Sequence, residues 1–369
     1  MSADAGFDIR LATRDDEPEI RALVGSIPMP GAVTVRFARE PDYFLGTSIM
    51  GNPCDVLIGR HRPDGRLAGI ACRAEHPAFV NGADSSLGYI GQIRVAPEFQ
   101  GRWLIPRGAK LVREMSAPGL IYFGVIAGEN PRARELLVGA RPPGGIQATR
   151  ISGLTTCAIL VRLHRPPRTL GVDVQPASSG ELAEVVGFLR SHGPRRQFFP
   201  AYSLEDFTGG AALRGLAPRD VMVARRDDGA VVGVMAAWDQ AAFKQDIVEA
   251  YGTTLRRLRP GYDLVARLLG AQALTPPGEA IPLAFAACVC VADDDPVVMR
   301  GLLSACVRRA HERGKLFLML GMADNDPLLA VARRWLHVTY RSDLYALSWS
   351  IDPADMLDGR IPYIEIATL

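Results

Sequence analysis

Cysteine is scarce in this sequence and follows no pattern, which already removes several classes of protein. Cys54, Cys72, Cys157, Cys288, Cys290 and Cys306 are the only six in 369 residues. They form no C-x-x-C pair and no zinc-type spacing, so no metal is expected and no dithiol redox centre. Cys288 and Cys290 stand two apart in an apolar run, where a strand would point both side chains the same way. They read as buried thiols in a chain suited to a reducing cytoplasm. Excess charge is missing too: 42 Lys+Arg face 40 Asp+Glu, a net +2. With no basic surplus and no Lys/Arg run, neither a nucleic-acid partner nor a membrane surface is expected. No apolar run approaches the ~20 residues of a membrane span. The opening MSADAGFDIRL lacks the basic-then-apolar order of a signal peptide. No Ser/His/Asp or Cys/His set has coherent spacing.

What is present suffices for large cores. Apolar residues make up 48% and charged residues 22%, and the length is comfortable for two domains. The two halves echo each other. FDIRLATRDDEPEIRALV near the start and GVDVQPASSGELAEVVGFLR from Gly171 both read as strand, turn and helix. RPDGRLAG (Arg62 to Gly69) and RDDGAVVG (Arg226 to Gly233) both read as hairpin turns. Gly65 and Gly229 lie as far apart as Glu17 and Glu181. Asn130 and Asn325, each before a helix start, lie farther apart, which one insertion at 241–279 explains. That insertion holds FKQDIVEAYGTTLRRL, read as helical, with Tyr251, Arg256, Arg257, Arg259 and Tyr262 placed to lid a cleft. The pattern is a tandem repeat. RLHRPPRTLG separates the halves, with the boundary near Pro167.

The first half reads as strand 7–12, helix 15–26, an irregular Pro/Gly-rich stretch, and strands 54–60, 66–75 and 86–95. Helix 104–116, strand 119–126, helix 130–138 and strands 146–152 and 154–163 follow. The second half reads as strand 172–176, helix 179–191, and strands 220–226, 230–238 and 283–291. Helix 296–313, strand 315–321, helix 326–335 and strands 336–342 and 343–350 complete it. Strands and helices alternate, as in a mixed α/β fold.

GYIGQIRVAPEFQGRWLIPRGAKLVREM, residues 88–115, is the most informative stretch. An alternating strand enters V-x-P-E-F, then a Gly/Arg loop, then an amphipathic helix with Pro106 in its first turn. Loop amides and a helix N-terminus offer free N–H groups to an anion, and Arg102, Arg107 and Lys110 add positive charge. In the second half FAACVCVADDDPVVMRG puts Asp293, Asp294 and Asp295 at the same place. Carboxylates there favour the helix dipole but repel phosphate.

The segment resembles the acyl-CoA-binding motif of GNAT-superfamily N-acyltransferases. The resemblance implies an α/β (α+β) chain of two tandem GNAT-like domains, each a mixed, mostly antiparallel twisted sheet flanked by helices. Residues 1–166 would form the first and hold the acyl-CoA site. Residues 167–352 would form a degenerate second, and 353–369 a C-terminal tail. In the family, the motif strand pairs with the pantetheine arm, a role that falls to Ile93, Arg94 and Val95. The family's loop is usually Q/R-x-x-G-x-G/A. Here it is Gln100, Gly101, Arg102, Trp103, Leu104 and Ile105, with Trp103 and Ile105 where small residues are usual. Arg107 follows, and Asn130 matches the residue that reaches the pantetheine arm, although before Pro131 it also reads as a helix cap.

The implied co-substrate is acetyl-CoA or another acyl-CoA, with no metal. The acceptor would be a primary amine, on a small molecule or a protein, and a homodimer is one candidate assembly. The family's base is a Glu six residues before the terminal Val of the motif strand, and Tyr89 stands there instead. Tyr89 or Glu75 would handle the proton. The family's acid, a Tyr on the helix after the Asn, has no match, and Tyr122 is a substitute candidate. His76 reads as a lone rim histidine. Two rival readings remain: a non-catalytic ligand-binding or scaffold protein with the GNAT fold, and an acyltransferase using a longer-chain or carrier-protein-bound donor.

Overall fold

The structure is a computed structural model that describes residues 6–29, 31, 33–101, 104–128, 130–138, 143–161, 171–268 and 273–369. The first half runs β1 (Phe7–Leu11), α1 (Glu17–Ser26), β2 (Val33–Ala38), α2 (Tyr43–Thr47), β3 (Cys54–His61), β4 (Leu67–Val80) and β5 (Ala83–Val95). It continues with α3 (Leu104–Met115), β6 (Tyr122–Ala127), α4 (Pro131–Val138) and β7 (Gln147–Leu160). The second half runs β8 (Asp173–Pro176), α5 (Leu182–His192), α6 (Leu204–Thr208), β9 (Val221–Arg225), β10 (Val231–Trp238), β11 (Gln245–Tyr251) and α7 (Thr253–Leu268). Then come β12 (Leu283–Val291), α8 (Pro296–Glu312), β13 (Phe317–Ala323), α9 (Leu329–Ala332), β14 (His337–Ser348) and α10 (Pro353–Met356). The expected mixed, mostly antiparallel architecture is what forms. The Pro167 boundary lies outside the described residues.

Local chemistry is shared between the halves. Asp16, in the turn before α1, accepts from Arg10 and from Arg60 on β3. Glu181, before α5, accepts from Arg225 on β9, which also pairs with Glu184. Each clamp ties a helix start to the strand beneath it. Arg10 first, then Thr13 and Arg60, hold the Asp16 carboxyl well below the usual range.

Twelve strands form one sheet in the order β1-β3-β4-β5-β6-β14-β7-β13-β12-β10-β9-β8. Among the described residues, only β5–β6 and β12–β13 are parallel neighbours. The sequence suggested two strands at 146–152 and 154–163, and two more at 336–342 and 343–350; each pair is one long strand. Alternation carries on through Gly153, and a register shift between Leu344 and Tyr345 absorbs the irregularity without a turn. The long strands pair with each other and cross over. β14 continues onto β6 of the first half, and β7 continues onto β13 of the second. Leu344 and Ala346 of β14 therefore enter one core of the first half, and Tyr345 and Leu347 the core on the other face. Leu154, Cys157 and Ile159 of β7 enter the core of the second half.

The insertion also differs from its expected form. Its DIVEAY segment lies in strand β11, which pairs antiparallel with β2 of the first half; among the described residues of the insertion only α7 is helical. Arg36 and Glu249 bridge this two-stranded ribbon at 2.6 Å.

Each half contains a place where parallel strands part. β5 and β6 pair only at Gly88–Tyr122 and Tyr89–Phe123. β12 and β13 pair only from Leu283–Phe317 to Phe285–Met319. The chain's own 363–367 segment enters the second gap at Cys288 and Val289, and a cavity remains beyond it between Val289–Val291 and Gly321–Ala323. Cys288, at φ +53, donates its N–H to Glu365 Oε2 at 2.8 Å, and Val289 N–H donates to the Tyr363 hydroxyl at 3.1 Å. Tyr363 and Tyr202 hydroxyls donate to the same carboxylate oxygen at 2.8 and 3.1 Å. Ile366 packs against the Gly321 α-carbon. Asp295 caps α8 through Val297 N–H at 2.7 Å, while Asp294 pairs with Arg196 at 2.6 Å. The stretch expected as a tail thus lies partly in the core, with Ile364, Ile366 and Ala367 buried.

Two outcomes follow from this arrangement. Leu344→Ala, at a site 1% exposed, costs about 2–5 kcal/mol. Because β14 belongs to both halves, urea unfolding followed by tryptophan fluorescence and by far-UV dichroism stays a single coincident transition. Separate transitions for the two probes would contradict the exchange. Glu365→Ala leaves the Cys288 N–H and two tyrosine hydroxyls without their acceptor, at a cost of ~3 kcal/mol or more. Glu365→Gln, which keeps an acceptor oxygen, loses less in the same measurement.

Candidate functional site

The first half's gap lies beside the loop and helix that the sequence singles out. A bulge shapes its edge. Ile70 stands opposite Arg94, but Cys72 stands opposite Gly91, so Gln92 and Ile93 together face Ala71. Gln92 takes φ +52. A bulged residue leaves the ladder, so backbone groups at Gln92–Ile93 turn away from β4. Ile93 is 41% exposed at this edge, and Val95 packs beside the small core of Phe7, Ala68, Ala96, Phe99 and Leu104.

The bulge also sets which face each side chain takes. Directly opposed residues share a face, so Gly91 and Arg94 lie on the face of Cys72 and Ile70, in the core of α1 and α2. Tyr89 lies there too, packed on Phe123 at 5.0 Å. Its phenol covers the Gly91 α-carbon: a side chain at Gly91 would meet the hydroxyl at 1.9 Å. Burial pushes the Tyr89 phenol above its ordinary range, so it keeps its proton. Arg94 points away from α3, not toward it.

Helix α3 covers the opposite face. Leu104 and Val112 are buried under it, while Lys110, Arg113 and Glu114 stay outside. Before it, Pro97–Phe99 make one 3-10 turn, and Gly101 takes φ +78 with nothing within 4 Å of where a side chain would stand. Arg102 and Trp103 lie outside the described residues. Gln100 Oε1 accepts from Arg132 Nη1 at 2.9 Å, which brings an α4 cation to the loop that sequence reading missed. Arg107 instead donates to the Phe7 carbonyl at 3.1 Å. Asn130 caps α4, accepting from Ala133 N–H at 3.0 Å.

The two residues suggested for proton transfer are kept apart. Glu75 lies opposite Gly88, at the closed end of the gap, bonded to Arg73 and Ser86. Arg73 also donates to the Tyr122 hydroxyl and the Met115 carbonyl, which places this group on the α3 face, opposite Tyr89. Tyr122 is fully buried between Arg73 and Ser116. Burial pushes the His76 imidazole down to about 4, so it is neutral at neutral pH. In the insertion, Arg259 is held by Asp263 and the Leu274 carbonyl.

Residues that sequence reading passed over complete the Tyr89 face. The ribbon presents Phe37 and Arg39 from β2 and its end, and Lys244 and Asp246 at the same positions across from them. Tyr43, from α2, meets Cys72 at 3.3 Å. The alternation in VTVRFAR was the available signal, hidden by the Pro/Gly content around it.

No protein-family model matches the chain, and no curated protein matches it in sequence. Solved structures do match in shape. The GCN5-related glucosamine N-acetyltransferase region of a fungal multi-domain GH3 β-N-acetylglucosaminidase superposes with a TM-score of 0.60 at 14% identity, over 93% of this chain. The chain spans 38% of that protein's length. Saccharomyces cerevisiae N-myristoyltransferase with bound myristoyl-CoA gives 0.59 at 10% identity, over 94% of this chain and 83% of that one. A GCN5-related N-acetyltransferase from Sphaerobacter thermophilus gives 0.53 at 14% identity, over 98% of both chains. At such identities the likeness is one of fold, and this chain has the fold of the GNAT-superfamily N-acyltransferases.

Proposed function

We propose that the first half binds acyl-CoA in the β5–β6 gap and transfers its acyl group to a primary amine. The observation that carries this reading is the bulged β5 edge beside the loop–α3 N-terminus, whose counterpart on β12 is bonded at Cys288 and Val289 by Glu365 and Tyr363. Unpaired strand backbone suits an extended amide-bearing arm. The α3 N-terminus with the Arg132–Gln100 pair suits a pyrophosphate. Structures of similar fold include one with bound myristoyl-CoA, which supports an acyl-CoA as co-substrate.

The amine nitrogen bonds to the acyl carbon, the carbon–sulfur bond breaks, and the nitrogen loses a proton while the thiolate gains one. Amides at Gln92–Ile93 would polarise the thioester carbonyl. Tyr89, protonated under the bulge, would give its proton to the departing sulfur and be reprotonated through solvent by the proton that the nitrogen loses. Glu75, bound to Arg73 on the other face, has no part in this step.

Isothermal titration of the full chain with acetyl-CoA and with longer acyl-CoAs tests the reading, and no binding of any donor would sink it. Arg132→Ala weakens donor binding ~5-fold. Tyr89→Phe lowers kcat ~10²-fold and leaves the donor Kd unchanged. An equal loss in both quantities would assign Tyr89 to packing instead.

A further inference from the structure

Near the middle of the sheet, one strand edge has no strand beside it. β14 pairs with β6 from Leu347 to Ser342, and one more bond follows, from Gly128 N–H to the Arg341 carbonyl at 2.8 Å. Before that point, His337–Arg341 pair only with β7. Leu160 N–H donates to the Leu336 carbonyl at 2.9 Å. Alternate residues of an antiparallel ladder repeat that direction. Leu336, Val338 and Tyr340 therefore turn their backbone groups to β7, and His337 and Thr339 turn theirs outward. Among the described residues, no strand and no side chain bonds the outward N–H and C=O of Thr339. Both faces are uncovered as well. Val338 and Tyr340 are each 49% exposed, and Thr339 and Arg341 are exposed on the other side. Open edges are usually guarded by proline, lysine or a bulge, and the HVTYR segment has none of these.

The edge has a defined position and a defined charge. Ile93 lies four residues past Tyr89, and Ala127 four past Phe123, so the β5 bulge and the last pair of β6 with β14 stand at one level along the strands. The edge begins there. Alternation places Val338 and Tyr340 on the face of Leu344 and Ala346, which is also the Tyr89 face. Arg333 and Arg334, in the turn before β14, are exposed at one end of the edge, and Arg341 at the other. None of the three forms an ion pair with a described residue. The neighbouring acids are already engaged. Asp343 is held by Arg134 and Arg150, and Glu249 by Arg36. Asp246, near Tyr340, has Arg39 and Lys244 as its charged neighbours. A polypeptide in extended form supplies both things this edge lacks: alternating N–H and C=O groups at strand spacing, and carboxylates for the flanking arginines.

We propose that the His337–Arg341 edge takes the acceptor as an added strand, so that the acylated amine belongs to an acidic polypeptide segment. This rests on the acyl-transfer reading for the role of the segment as acceptor, but not for its binding. A chain paired there passes the end of the β5–β6 gap at the level of the bulge, with its side chains alternating between the Tyr89 face and the α3 face.

The test uses the full chain without donor. A randomised library of short peptides is selected on it, and the enriched peptides are measured by isothermal titration. The enriched peptides are expected to be acidic. N-methylation of alternate amides along one edge of such a peptide weakens it ~10-fold or more, and along the other edge leaves it unchanged. Thr339→Pro causes the same loss and keeps the Tm and the acyl-CoA Kd, because the Thr339 N–H faces away from β7. Reversing Arg333 and Arg334 to Glu weakens the acidic peptides ~5-fold. If Thr339→Pro does not fold, the methylated peptides carry the test. Peptides that ignore both Thr339→Pro and methylation overturn the proposal, as does a selection with no enrichment. A dimer in sedimentation that Thr339→Pro dissociates gives the edge to a second copy and also overturns it. Acyl-CoA binding without peptide binding defeats this inference and spares the transfer reading. Peptide binding at the edge without acyl-CoA binding does the reverse.

Discussion

Parallel strands that part leave backbone donors and acceptors that something must satisfy. This constraint governs the whole molecule, because it arises twice in one sheet. At β12–β13 the chain answers it internally, with a carboxylate on the Cys288 amide and a phenol on the Val289 amide. At β5–β6 the bulged edge around Gln92 and Ile93 is the place proposed for the donor. The contrast between a β12 edge bonded by the chain's own 363–367 segment and a bulged β5 edge without such a segment, more than any one side chain, supports the proposal that the chemistry belongs to the first half.

The halves are nevertheless inseparable in structure. β14 supplies both faces of the first half's core, β7 supplies the second half's, and the ribbon joins residues more than two hundred positions apart. The bulged edge and the face beneath it therefore depend on the second half as well. Arg39 and Phe37 come from one side of that ribbon, Lys244 and Asp246 from the other.

Much of this was legible in the sequence where the signal is local. The strand, P-E-F turn and amphipathic helix at 88–115 were readable from alternation, Pro placement and periodicity. The equal spacing of Glu17/Glu181 and Gly65/Gly229 gave the doubled element order. Pairing between distant segments was not legible. DIVEAY looks helical until β2 gives it a partner, and two long strands look like four until their bulge is seen. The Gln92 bulge reverses the side-chain parity beyond it, so plain alternation puts Arg94 on the wrong face. Glu75 and Tyr89 lie in adjacent strands, yet register alone decides that they point to opposite sides. Arg132 was within reach, in the first turn of a helix already expected, but nothing in the sequence tied it to Gln100.

The position of β14 also bears on how the protein is made. It follows the other strands of the sheet in sequence, yet it lies near the middle, between β6 and β7. Until it is synthesised, β6 and β7 present bare edges to each other, and the first half lacks Leu344 and Ala346 from its core. The nascent first half therefore waits with open strand edges through the translation of everything after β7, the interval in which such edges are most prone to wrong pairing.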